Sequence, residues 1–180
     1  MSERVETMEG VATDDLADVI DRLYRRHHRG VFHVALRYGV GDEAWAEDIV
    51  QDVFAALMDN LPRLADHEHL DGWLYRVTTN RCLRRLKRDK FLHRGPVRRF
   101  LAAQTDREDV LEGQVFARSD LERTRLALAQ LPPRERVVVC MCHLDGKSQR
   151  EVCEALSLSK GYVSKLLARG IARLQEALDD

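Results

Sequence analysis

Glycine and proline are scarce in this chain, ten and four among 180 residues. So few turn-formers argue against a fold of many short strands and point to long helices. Aromatic residues make up only 6% of the sequence. No apolar run approaches the roughly 18 residues that a membrane-spanning helix needs, so membrane insertion is not expected. The N-terminus, MSERVETMEG, is acidic and lacks the basic-then-apolar pattern of a secretory signal, and a cytoplasmic location is expected. In that compartment Cys82, Cys140, Cys142 and Cys153 should be free thiols. Cys140, Cys142, His143 and Cys153 form a conceivable ligand set but match none of the usual zinc spacings. Buried thiols acting as small hydrophobes are the better reading, and no metal is expected. His67 and His69, flanking Glu68 in a polar stretch, read as solvated residues. There is no phosphate-cradling glycine loop, no nucleophile elbow and no carboxylate pair in a catalytic setting, so neither enzymatic activity nor a cofactor is expected.

What the chain has is charge, at 33% of residues, beside 44% apolar content that suits a globular protein. The formal net charge of −1 conceals a strongly uneven distribution. Residues 1–21 carry seven acids against Arg4, residues 81–99 carry nine Lys or Arg against Asp89, and residues 106–123 turn acidic again. A local excess of +8 over 81–99 is the electrostatic footprint of a nucleic-acid binder.

The most informative local pattern is SQREVCEALSLSKGYVSKLLARG, residues 148–170. Ser148 with Glu151 forms a capping box, and Ser159 repeats the N-cap chemistry, so a first helix must stop near Leu156. Val152, Leu156 and Leu158 can pack on Val163, Leu166 and Leu167. The outer face of the second helix then presents Gly161, Ser164, Lys165, Ala168 and Arg169. This is the layout of a helix-turn-helix, although a helical hairpin serving only its own core has the same pattern.

Upstream, Leu16, Val19, Ile20, Leu23 and Tyr24 repeat at helical spacing, and a second apolar stretch follows Gly30 from Val31 to Tyr38. Asp42 caps a helix running to about Asn60, whose face opposite the apolar one holds Asp48, Gln51 and Asp52. Periodicity alone favours an ordinary solvated face there over an acidic docking stripe. A polar loop follows Pro62, and Asp71 can cap the next helix. On that helix Arg76, Asn80, Arg84 and Lys87 form one stripe, flanked by Arg88 and Lys90 and bordered by Trp73 and Tyr75. Such a stripe suits phosphates and exposed bases, although Trp73 taken alone is more often a core residue. Periodicity fades over 91–120, which reads as a linker with some helix near 107–118. Leu121–Leu131 and the run VVVCMC at 137–142 read as helices, the second entered through Pro132-Pro133 and stopped by Asp145-Gly146.

AEDIVQDVF (46–54) followed by GWLYRVTTN (72–80), and LPPRER (131–136) leading into the helix-turn-helix and on to ARLQEAL (172–178), resemble the extracytoplasmic-function class of sigma-70 family sigma factors. The resemblance covers about residues 12–90 and 121–178. It implies an all-α fold of two small helical domains joined by a flexible linker. The expected organisation is a disordered acidic tail (1–11), sigma domain 2 (12–92), a linker (93–120) and sigma domain 4 (121–180), the last containing the helix-turn-helix. It implies that Asp48, Gln51 and Asp52 dock on core RNA polymerase, whose β′ and β subunits become partners, and it reverses the solvated-face reading. Trp73, Arg76, Asn80, Arg84, Lys87 and Arg88 would recognise and melt the −10 promoter element. Lys160, Gly161, Tyr162, Ser164, Lys165 and Arg169 would read the −35 element. An anti-sigma factor is a further partner that the resemblance allows. Trp45, Arg81, Arg84, Lys147 and Tyr162 depart from the usual family pattern. A free-standing operator-binding regulator is the alternative, but it leaves DIVQDVF and the WLYR helix unexplained.

Overall fold

The structure, a computed structural model, describes residues 3–61, 70–92 and 112–179. Among them every element is a helix. The N-terminal unit comprises α1 (Glu3–Tyr38), α2 (Glu43–Asn60) and α3 (Leu70–Leu92). The C-terminal unit comprises α4 (Glu112–Gln130), α5 (Pro133–Val139), a π-helical turn (Cys140–Leu144), α6 (Gln149–Leu156) and α7 (Lys160–Asp179).

Three boundaries differ from the sequence reading. First, α1 opens at Glu3, inside the stretch expected to be a disordered tail. Second, α1 runs through Gly30, which is exposed and has open space where a side chain would stand. One glycine costs a helix roughly 1 kcal/mol, too little to break an element that packs on two neighbours. Third, the helix expected near 107–118 and the one expected from Leu121 are, among the described residues, a single helix, α4, which begins at Glu112. The expected loop over 62–69 and linker residues 93–111 lie outside the described residues.

The α1–α2 turn is set by left-handed backbone at Val40 (φ 60) and Gly41 (φ 90). Left-handed φ is strained for a branched side chain, and Val40 is held there with its side chain buried in the core. Asp42 caps α2 as expected, its carboxylate accepting from the Trp45 backbone N–H at 2.9 Å. The apolar stripe of α2, Ala46, Ile49, Val50, Val53, Phe54 and Leu57, is buried against α1 and α3. Trp45, a departure from the family pattern, is buried as well. Its ring lies on Gly39 and its indole N–H donates to Asp89 on α3 at 3.0 Å.

In the C-terminal unit the VVVCMC run is helical, as expected. Its buried side chains form the floor on which α7 lies. Gly170 makes that approach possible, because a Cβ there would stand 2.6 Å from Val139 Cγ2. Gly170→Ala should therefore destabilise the chain by about 1–3 kcal/mol despite the better helix propensity of alanine, measurable as a lower midpoint in urea. The helix-turn-helix forms as read. Glu151 Oε2 accepts from the Ser148 N–H at 2.8 Å, and the Glu151 N–H donates back to Ser148 Oγ at 3.3 Å. Ser157 ends α6 in the left-handed region, and Ser159 Oγ accepts from the Tyr162 N–H at 3.4 Å.

The capping hydrogen bonds from the Ser148 backbone and hydroxyl, helped by Lys147, lower the Glu151 pKa to about 2. A lowered carboxylate pKa contributes stability above its ordinary value of 4.5 and loses it as pH falls through about 2. Between those limits the wild type should lose stability more steeply than Glu151→Gln, as thermal melts at stepped pH will show.

The two units are pressed together. Buried residues of both form one continuous apolar cluster, with α3 packed on α5 and α6 and the π turn on α1.

Candidate nucleic-acid interface

Helix α3 carries the first basic face. Thr78 and Thr79 turn inward, fully buried, with hydroxyls donating to the Leu74 and Tyr75 carbonyls. The stripe therefore points away from the core. Arg76, Arg84 and Arg88 are exposed, whereas Asn80 and Lys87 are half-buried. Trp73 is also half-buried and packs against the core, so it combines the structural and the surface reading.

Asn80 is less free than the sequence suggests. Its amide donates to the Arg76 carbonyl at 2.8 Å and, across the units, to the Ala155 carbonyl on α6 at 2.9 Å. The Lys87 ammonium is held below the usual lysine range by partial desolvation and then by the charge of Arg134. Tyr75 borders this face, but its hydroxyl is turned to the C-terminal unit, donating to Asp145 at 2.8 Å.

The second face belongs to α7. Val163, Leu166 and Gly170 are buried, which leaves Lys160, Gly161, Ser164, Lys165 and Arg169 exposed on the outer side. No atom stands within 4 Å of where a Gly161 side chain would begin, so that position is open to a partner's backbone. Tyr162 is half-buried instead. Its hydroxyl accepts from Arg134 at 2.9 Å, and the guanidinium lies over its ring at 5.7 Å from the centroid.

The acidic stripe of α2 is outward-facing, with Asp48, Gln51 and Asp52 all exposed. Asp48 pairs with Arg85 at 2.8 Å, a partner that periodicity could not supply. The structure thus brings one edge of the α3 set, Lys87, to the base of the α7 set, where Arg134 holds Tyr162. It leaves the α2 stripe separate.

Sequence reasoning missed a polar cluster at the junction. The Asp145 carboxylate accepts from Arg37 Nε at 2.7 Å, Tyr38 Oη at 2.6 Å and Tyr75 Oη at 2.8 Å. Tyr38 is fully buried, and both desolvation and Asp145 raise its pKa well above the ordinary tyrosine range. Arg136 of the LPPRER motif is buried too. It bonds the Ala129 carbonyl and reaches the Tyr38 carbonyl at 3.5 Å, and burial lowers its pKa to about 10. Cys82 and Cys140 are buried thiols, and desolvation pushes the latter up to about 12. The only sequence signal for this junction is Asp145-Gly146, which reads as a helix stop.

Residues 23–91 match the family described as Sigma-70 region 2, and residues 127–176 match Sigma-70, region 4. The chain is 30% identical over 167 residues to the RNA polymerase sigma factor NccH of Alcaligenes xylosoxydans xylosoxydans, covering 87% of this chain and 85% of that one. It is 31% identical over 163 residues to the ECF RNA polymerase sigma factor SigE of Mycolicibacterium smegmatis, covering 88% of this chain but spanning only 61% of that relative's length. Among solved structures, CnrH in complex with the cytosolic domain of CnrY is similar at a TM-score of 0.59 and 25% identity, over 91% of this chain and 89% of that one. The sigma factor RpoE of Bartonella quintana, solved with the anti-sigma factor NepR, shares the fold at a TM-score of 0.60 and 18% identity, over 88% and 96%. With two basic helical faces in this order and both sigma-70 regions matched, the chain belongs to the extracytoplasmic-function sigma factors of the sigma-70 family.

Proposed function

We propose that this chain binds core RNA polymerase through Asp48, Gln51 and Asp52 of α2 and directs it to promoters with two separate DNA readers. In this reading Trp73, Arg76, Asn80, Arg84, Lys87 and Arg88 on α3 engage and open the −10 element. Lys160, Gly161, Tyr162, Ser164, Lys165 and Arg169 on α7 engage the −35 element. The observation that carries the reading is the occurrence, on one chain, of two exposed cationic helix faces and a separate exposed acidic stripe.

Each reader is weak alone. The α7 face offers two long cations, Lys165 and Arg169, beside Lys160 at its start, too few for tight binding by one module. Fixing both readers on polymerase makes the second contact effectively intramolecular and adds their affinities without any further interaction. Opening DNA costs a few kcal/mol per unstacked base, which capture of the displaced strand by aromatic and cationic side chains offsets. The protein itself catalyses no step, works where polymerase is, in the cytoplasm, and is open to an anti-sigma factor as a further partner. The solved relatives bound to CnrY and NepR support that last point.

Fluorescence anisotropy of the labelled chain with purified core polymerase, run beside gel shifts on promoter fragments, tests the reading. The chain should bind core, and specific DNA retention should require both proteins. Tight sequence-specific retention by the chain alone would replace it with the free-standing regulator.

A further inference from the structure

We infer, resting on the promoter reading above, that Arg134 is a positioning residue for −35 recognition. It lies on α5, outside the reading helix, and holds the Tyr162 hydroxyl as a hydrogen-bond donor to one base of that element. Every contact involved lies within the C-terminal unit.

Place comes first. Tyr162 is the third residue of α7, and the N-terminal residues of a recognition helix are the ones that meet base edges in the major groove. Its backbone N–H donates to the Ser159 cap, which fixes where its side chain leaves the helix. The ring is half-buried against the core, so its apolar body is anchored, while the bond made by its hydroxyl lies at the surface.

Polarity comes second. Arg134 donates to the Tyr162 hydroxyl at 2.9 Å, and its guanidinium lies 5.7 Å from the ring centroid. A guanidinium has donors only, so the hydroxyl accepts here and keeps its own proton to give elsewhere. Guanine O6 and thymine O4 are acceptors at the place in the major groove where adenine and cytosine carry amino donors. A hydroxyl offering its proton therefore sorts guanine with thymine, against adenine with cytosine, on the strand it meets.

Rigidity is the third element. Arg134 is exposed, but its neighbours Glu135 and Arg136 are each only 5% exposed, and Pro133 opens the helix that carries all three. Arg136 bonds the Ala129 carbonyl, and Glu135 pairs with Arg173 of α7 at 3.3 Å. Helices α5 and α7 are thus tied at a second point, and Arg134 meets Tyr162 in a fixed geometry. A surface cation–π contact adds little to folding, so its consequence lies in where the hydroxyl points.

The test is selection by the holoenzyme, the full chain with core polymerase, from promoter fragments with a randomised −35 element and a fixed −10 element. Bound fragments are sequenced for the wild type, Tyr162→Phe, Arg134→Ala and Arg134→Lys, with circular dichroism to check that the helices are retained. At one position the wild type should favour guanine and thymine of one strand over adenine and cytosine by about three- to tenfold, the size of one hydrogen bond. Tyr162→Phe and Arg134→Ala should each flatten that position and leave the others unchanged. Arg134→Lys keeps a donor and should retain most of the preference. Combining Arg134→Ala with Tyr162→Phe should flatten it no further, since both remove one interaction. Preferences untouched by Tyr162→Phe and Arg134→Ala would overturn the inference. So would a flattened position that sorts purines from pyrimidines or A·T from G·C, or a uniform loss over all sequences with a shallower salt dependence, which marks a phosphate contact. A wild-type holoenzyme with no preference at any −35 position contradicts the sigma reading itself, whereas the other failures leave that reading standing.

Discussion

Arginine in place of both Asp48 and Asp52 is expected to abolish binding to core RNA polymerase while leaving the fold intact. Both side chains are exposed, one helical turn apart on the face of α2 opposite its buried stripe. The double change moves the local charge by four units. Like-charge juxtaposition across an interface costs several kcal/mol, so affinity should fall by more than a hundredfold. The fold has little to lose. The Asp48–Arg85 pair is half-exposed, and pairs of that kind contribute about 0–1 kcal/mol. Arg85 also keeps Asp89 within 3.7 Å. Asp48→Ala with Asp52→Ala should give an intermediate loss, since it removes attraction without adding repulsion. A pull-down with tagged core, alongside the melting temperature of each variant, checks both halves. Wild-type core binding by the folded double arginine variant would exclude this surface.

The second large effect concerns α7. Lys165→Ala combined with Arg169→Ala should weaken binding to promoters that carry a −35 element by about 2–4 kcal/mol, thirty- to a thousandfold, when polymerase is present. The two side chains stand one helical turn apart and are exposed. Their removal leaves no cavity and exposes no core. Salt dependence tells which part of the DNA each side chain meets. Removing a cation that neutralises one phosphate lowers the slope of log K against log salt by about 0.9, whereas removing a base reader relaxes sequence preference and leaves the slope nearly unchanged. Binding to fragments carrying only a −10 element should be unaffected. An equal loss on those fragments would place the effect outside −35 reading.

The parts of this molecule that are legible in the sequence are those written in local chemistry. The Ser148–Glu151 capping box, the Asp42 cap and the stop after Leu156 each depend on side chains within four residues, and each stands in the structure as read. Faces are legible too, because a period of 3.6 sorts Ile49, Val50 and Val53 inward and Asp48, Gln51 and Asp52 outward. What escapes depends on partners distant in the chain. Nothing near Asp145 announces Arg37, Tyr38 and Tyr75, which lie 70 to 108 residues away. Asn80 belongs to an outward stripe, yet the packing of α6 ties its amide to Ala155. Trp45 stands out in the sequence only as a departure from pattern. Its meaning, a buried wedge over Gly39 bonded to Asp89, requires the neighbouring helices. Gly30 misleads for the opposite reason, since a lone glycine is a weak breaker once tertiary packing holds the helix on both sides.

The most direct measurement is run-off transcription with purified core polymerase on a library of genomic promoter fragments. Transcripts of defined length should arise from a limited set of fragments only when this chain is added, and should disappear when Asp48→Arg and Asp52→Arg are introduced together. A chain that gives no promoter-dependent transcripts with core polymerase, while binding DNA tightly and specifically alone, would contradict the account.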